Sequence, residues 1–179
     1  MCITYRLARD GDLEEVLALV RAATAHLDAQ GIHQWDEFYP NRDILHKDIA
    51  SRQMRAGLCA GRIAVIYVLN HDSEPEYADC AWTHPELAHL VLHRLCVHPD
   101  FQNRGFAGQA LAHAEQEAFS LGARAVRLDA FSQNPAALRL YARHGYAVTG
   151  HIDDDVGRFH VMEKLLTPTP NASQEENPQ

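Results

Sequence analysis

Lysine- and arginine-rich blocks are missing from this 179-residue chain, which sets 16 basic against 24 acidic side chains for a formal net charge of −8. Without a basic stripe to neutralise phosphates, nucleic acid is not an expected partner. No apolar run approaches the roughly 18 residues that cross a bilayer, and residues 1–6 have neither the basic start nor the apolar core of a signal peptide. No membrane association and a cytoplasmic location are therefore expected. The four cysteines (Cys2, Cys59, Cys80, Cys96) form no Cys-x-x-Cys pair, which argues against a zinc ribbon and against a secreted disulfide framework. Twelve histidines include no His-x-x-x-His with a neighbouring glutamate, so no metal site is expected. A Gly-Lys-Ser/Thr phosphate loop and a Gly-x-Gly-x-x-Gly dinucleotide fingerprint are both absent.

What is present is an ordinary globular composition, 46% hydrophobic and 22% charged. A chain of this length suits one domain burying roughly 70% of its unfolded surface. Residues 1–166 are assigned to that domain. From Thr167 onward Pro, Ser, Asn and Glu dominate, so residues 167–179 are expected to be a disordered tail.

Residues 3–7 form a short β-like run, and Asp10 or Asp12 then offers an N-cap to a helix whose apolar face is Leu13, Val16, Leu17, Val20 and Leu27. Gln30-Gly31 closes it. Trp35, Phe38 and Tyr39 follow beside Asp36 and Glu37; they either fill the core between two helices or form a site for an organic cation. Trp35, Glu37 and Tyr39 are carried forward as candidate acceptor contacts. A second helix is expected over residues 43–54, and a hairpin over residues 58–60 and 62–70 turning at Gly61. Residues 71–86 read as an irregular excursion, and residues 87–97 as a central strand. Apolar residues from Phe106 to Leu121 then repeat every three or four positions, and Gly122 sits where a left-handed C-cap belongs. A strand over residues 125–131, a short helix over 135–144 opened by Pro135, and a final strand pair over 146–152 and 158–166 complete the pattern.

The segment between the central strand and the long helix carries the chemistry. A glycine-bearing turn feeding a helix presents backbone N–H groups and the positive end of the helix dipole, an anion site to which Arg104 adds charge. Gln102-Asn103-Arg104-Gly105-Phe106-Ala107 resembles Gln/Arg-x-x-Gly-x-Gly/Ala, the pyrophosphate-binding signature of the GCN5-related N-acetyltransferase (GNAT) family. The preceding residues, Leu95-Cys96-Val97-His98-Pro99-Asp100-Phe101, resemble the family's strand ending in Val-x-Pro-x-Tyr/Phe. Thirty residues on, Asn134-Pro135-Ala136-Ala137-Leu138-Arg139-Leu140-Tyr141 with Gly145-Tyr146 is similar to its Asn-x-x-Ala-x-x-x-Tyr-x-x-x-Gly-Phe segment.

The resemblance implies an α/β fold: a single GNAT-like domain with a mixed central β-sheet, a splayed pair of parallel strands, and flanking helices. It implies acetyl-CoA in the splay between residues 87–97 and 125–131. The pyrophosphate would lie on Gln102, Asn103, Arg104, Gly105, Phe106, Ala107 and Gly108, and the pantetheine arm along Leu95, Cys96 and Val97. The N–H near Val97 would polarise the thioester carbonyl, and Asn134 would touch the cofactor or an ordered water. Gly108 has a second reading, close packing of helix on sheet.

Acyl transfer needs a neutral amine, yet an alkylamine of pKa near 10.4 is about 99.9% protonated at pH 7, a handicap of roughly 4–5 kcal/mol. Where many members of the family carry a glutamate base this chain has Val91. His93, two residues on and on the same strand face, is the candidate base, with Glu86, His89 and a water chain as competitors. Tyr141 is the candidate acid for the departing thiolate. Acetyl transfer to a primary amine of a small molecule or peptide, by direct attack in a ternary complex, is the first reading; the resemblance also allows a homodimer. A non-catalytic acyl-CoA sensor is the alternative that Val91 keeps open, and nucleotide binding at the same turn ranks last.

Overall fold

A computed structural model describes residues 3–73 and 75–167; of the tail expected over residues 167–179, all but Thr167 lies outside the described residues. Seven strands form one sheet in the order β1-β2-β3-β4-β5-β7-β6. They are β1 (Thr4–Leu7), β2 (Met54–Cys59), β3 (Arg62–Asn70), β4 (His89–Val97), β5 (Ala125–Phe131), β6 (Ala147–Asp153) and β7 (Arg158–Leu165). Every neighbouring pair is antiparallel except β4 with β5.

Four helices cover the two faces. On one, α3 (Phe106–Ser120) and α4 (Pro135–Arg143) bury Ala110, Leu111, Ala114 and Tyr141 against Val65, Tyr67, Leu90, Leu92 and Leu128. On the other, α1 (Leu13–Asp28) and α2 (Arg42–Ala50) bury Val16, Leu19, Leu45 and Ile49 against Met54, Ile66, Val68 and Cys96. Strand β3, covered on both faces, is apolar from Ile63 to Leu69, and β4 is apolar except at His89, His93 and Arg94. Among the described residues no helix is long and apolar enough to cross a membrane.

The parallel pair matters most for the site. Only His89, Leu90 and Val91 of β4 are in register with Ala125, Val126 and Arg127 of β5. Beyond them β5 stays paired to β7 through Phe131, while β4 stays paired to β3 through Val97. The two strands therefore fork, and the backbone edges facing the fork have no strand partner there.

A bulge sits on the β4 side of the fork. Val68 pairs with His93 and Ile66 with Cys96, so three steps along β4 oppose two along β3, and Arg94 absorbs the extra residue at φ +51°. Because side chains otherwise alternate, this insertion lets His93 and Arg94 both reach toward the α1/α2 side.

Most boundaries fall within two residues of the sequence reading, and two features differ more. The second helix ends at Ala50 rather than 54, and Met54 already opens β2. The stop is a left-handed Arg52 (φ +58°), with Arg52 N–H donating to Ile49 and Gln53 N–H to Asp48, a Schellman closure made without the usual glycine. At the start of α1, neither Asp10 nor Asp12 caps with its side chain; Asp12 instead receives Arg6 at 2.6 and 2.9 Å and the Arg9 N–H at 2.8 Å. Among the described residues, the excursion expected over residues 71–86 is irregular, with a short 3-10 turn at Pro75–Asp79, and it runs on to residue 88 before β4 begins.

Candidate active site

At the far end of β4 the chain makes a 3-10 turn (Pro99–Phe101) and enters α3 through Asn103 (φ +59°) and Gly105 (φ +77°). Glycine at 105 adopts the left-handed conformation at no steric penalty. The N-cap of α3 makes no side-chain hydrogen bond, whereas α2 and α4 are each capped by an asparagine. The first-turn N–H groups of α3, at Phe106, Ala107 and Gly108, thus have no intrahelical partner and no cap. This is the donor set a pyrophosphate requires.

Side chains of the turn behave differently from one another. Gln102 folds back, its Nε2 donating to the Val97 carbonyl at 3.2 Å. Arg104 lies 5.5 Å from the Phe101 ring centroid, and Phe101 and Phe106 are buried. A Cβ on Gly108 would stand 3.0 Å from His144 Nε2, so its missing side chain makes room for the end of α4 rather than for the sheet.

Along β4, His98 N–H donates to Ala64 of β3 at 2.9 Å, and the strand alternation then turns the Val97 N–H toward the fork. Cys96 contributes only backbone, because its thiol is buried in the α1-side core with its pKa pushed up to about 12 by that burial.

Where the strands part, a cavity of about 420 Å³ opens. His93, Arg94 and Leu95 line it from β4, Asp129 from β5, Asn134 and Tyr141 from α4 and its N-cap, and Trp35 and Tyr39 from the α1–α2 loop. Residues scattered over a hundred positions thus meet at one fork. Glu37 instead lines a neighbouring cavity with Asp28 and His33, sharing Trp35 and Asp36 as the wall between them. Of the aromatic trio, Phe38 is 73% exposed and Tyr39 42%, so neither fills the core.

His93 Nε2 lies 3.1 Å from Asn70 Oδ1 and 3.0 Å from the Asp72 carbonyl. Both partners accept, so Nε2 carries the proton and Nδ1 the lone pair. Burial first, then the Arg94 charge, lowers the imidazole pKa and keeps the ring neutral near pH 7. Arg94 itself is held by Asp48 Oδ1 at 2.8 Å and donates to the Tyr39 hydroxyl at 2.8 Å. Tyr141 is buried, edge-on to Tyr146 with centroids 5.8 Å apart; burial first and the Asp129 carboxylate second hold its pKa well above the usual phenol range.

The other positions considered for a base stand apart from His93. Val91 is fully buried beside Tyr77 and Val161. His89 is engaged by Arg127 and the Leu87 carbonyl, and neither it nor Glu86 lines the cavity. Sequence reasoning missed Asp129, which receives the Tyr77 hydroxyl at 2.7 Å. Its only sequence signal was being an acid inside a strand that is apolar apart from Arg127.

The described residues hold no cluster of three or more His, Cys, Asp or Glu side chains arranged for a metal ion. In sequence, residues 33–146 match the pattern of the family described as "Acetyltransferase (GNAT) family". An uncharacterized N-acetyltransferase YycN of Bacillus subtilis is 30% identical over 81 residues, 43% of this chain and 52% of that relative, so the match spans about half of the relative's length. In structure, a GNAT-family acetyltransferase of Streptococcus agalactiae superposes with a TM-score of 0.77 at 24% identity, covering 91% of this chain and 95% of that one. The PaiA N-acetyltransferase of Thermoplasma acidophilum, solved with coenzyme A, superposes with a TM-score of 0.71 at 19% identity over 92% and 99%. With the forked parallel strands and the uncapped α3 turn inside the matched stretch, the chain belongs to the GNAT acetyltransferase family.

Proposed function

We propose that this chain transfers the acetyl group of acetyl-CoA to a primary amine of a small molecule or peptide, by direct attack within a ternary complex. The observation that carries the reading is the fork: groups able to accept and donate a proton, His93 and Tyr141, face one cavity from different walls. Bound acetyl-CoA supplies an activated thioester. The α3 turn fits its pyrophosphate, and the β4 edge at Leu95 and Val97 fits the amide groups of its pantetheine arm. The Val97 N–H suits the developing oxyanion.

His93 Nδ1 takes the proton that the attacking amine must lose, and Asp129 attracts the incoming ammonium. Asp36, Glu76 and Asp154 also line the cavity, while Asp153 is paired with Arg158 and the Arg94 charge is already matched by Asp48. This balance favours a cationic acceptor, with Trp35 and Tyr39 as aromatic walls. His93→Gln should lower kcat about 100-fold. Since the His93 pKa is depressed, wild-type activity should fall on acidification only below the ordinary histidine range, and that limb should vanish in the variant. An unchanged acidic limb in H93Q would move the base to Asp129 or water.

The reaction itself is tested by free-thiol release from acetyl-CoA with a panel of primary amines, cationic ones included. Amine-dependent release is expected. The buried Val91, where an acid base is common in the family, favours one alternative, an acyl-CoA sensor. A sensor would bind acetyl-CoA tightly and release no thiol with any amine.

A further inference from the structure

The α1–α2 loop is braced before it reaches the cavity. Ile32 N–H donates to Leu27 at the end of α1, and Asn41 caps α2 through Ile44 N–H at 3.1 Å. Between these anchors, Asp36 Oδ1 accepts from the Phe38 and Tyr39 amides at 2.8 Å each, Asp36 N–H donates to the Tyr39 carbonyl, and Asn41 Nδ2 donates to the Phe38 carbonyl at 3.0 Å. A loop so internally bonded moves as one piece.

Two side chains join that piece to opposite sides of the fork. Asn134, 7% exposed, caps α4 with its Oδ1 and donates from Nδ2 to Gln34 Oε1 at 2.7 Å, across 100 residues of sequence. On the β4 side, Arg94 donates to the Tyr39 hydroxyl while its other amino group is fixed by Asp48. Gln34, Trp35, Asp36 and Tyr39 all line the cavity between these two attachments.

We propose that the α1–α2 loop is a crossbar clasped to both walls of the fork, and that Gln34 is the positioning residue that sets it over the acceptor site. Resting on the acetyltransferase reading, this makes Gln34 a determinant of acceptor affinity. The β5-side clasp consumes the Asn134 Nδ2 donor, so the side chain that caps α4 also locates Trp35 and Asp36. Neither attachment involves residues 102–108, so releasing the Gln34 clasp leaves the contacts of the pyrophosphate turn in place.

The test compares Gln34→Met, which keeps length and removes the acceptor oxygen, with Gln34→Glu, which restores an oxygen for Asn134 Nδ2. Agmatine, or whichever primary amine releases thiol fastest, serves as acceptor, and hydrogen exchange is followed at the Phe38 and Tyr39 amides of the ligand-free chain. For Q34M, acceptor KM should rise at least fivefold with kcat and the Kd for coenzyme A within twofold, and exchange should quicken at least tenfold. Q34E should return both. Unchanged KM, unchanged exchange, or a fall in coenzyme A affinity overturns the proposal. If no amine releases thiol from the wild-type chain, the acetyltransferase reading fails, and exchange still decides whether the clasp exists.

Discussion

Arg127→Met should lower the unfolding free energy by about 3–5 kcal/mol, because it leaves Glu163 as a buried, unmatched carboxylate. Both residues are 4% exposed, and they stand directly opposite each other in the β5–β7 register with Nε to Oε1 at 2.9 Å. The guanidinium does more than pair. It donates to the His84 carbonyl at 3.2 Å, lies 3.2 Å from His89 Nε2, and stacks 4.0 Å over the Trp82 ring, while Glu163 Oε2 accepts from Thr83 N–H at 3.1 Å. One ion pair thus fastens residues 82–89 to the sheet at Arg127, the last β5 residue in register with β4 before the fork. For a domain of this size the melting temperature should drop on the order of 10 °C. The double variant R127M/E163L should recover at least half of the loss, since an apolar pair of similar volume avoids the desolvation penalty. Thermal and urea unfolding of the three proteins check this, and an R127M melt within 1 °C of wild type would contradict it.

That ion pair also marks where the sequence stops being readable. The turn at 102–108 and the α3 periodicity follow from local patterns, glycine where φ must be positive and apolar spacing of three and four, whereas the fork between β4 and β5 is implied only by the family resemblance. Arg127 and Glu163, by contrast, carry no local signal of their pairing, and only the sheet register makes them partners. Tyr77 and Trp82 sit in a stretch that reads only as an irregular excursion, yet they anchor it by reaching Asp129 and Arg127. The helix stop at Arg52 was hidden because arginine occupies a left-handed position that sequence rules reserve for glycine or asparagine.

For the site, the division is similar. Tyr141, Asn134 and His93 were legible through the family pattern, and the structure brings them to one cavity. Asn134, expected at the cofactor, is engaged with Ala137 N–H and Gln34. Arg94 was hidden by the β4 bulge, since strict alternation sends it to the opposite face from His93. Asp129 was hidden because its position becomes a cavity wall only once β5 has parted from β4. Long-range register and a single inserted residue decide both, and neither leaves a local trace.

Tyr141→Phe should reduce kcat about 100-fold or more while leaving the Kd for coenzyme A within twofold. The leaving thiolate has a conjugate acid of pKa near 8.5, and an ordinary phenol near 10 would already donate uphill by about 2 kcal/mol. Burial and the Asp129 charge raise the Tyr141 pKa further, which widens that gap. A hydroxyl so disposed stays protonated across the pH range of a folded enzyme, so it stands ready as a hydrogen-bond donor and passes its proton only late, as charge accumulates on sulfur. Two consequences separate this from a packing role. The basic limb of the pH–rate profile should be the same in Y141F and wild type, because Tyr141 does not ionise there. Melting should change little, because the phenylalanine ring retains the edge-on contact with Tyr146. Single-turnover thiol release, coenzyme A calorimetry and thermal unfolding read these three quantities. Lost coenzyme A affinity at unchanged kcat would make Tyr141 a binding residue and leave the thiolate to be protonated by solvent.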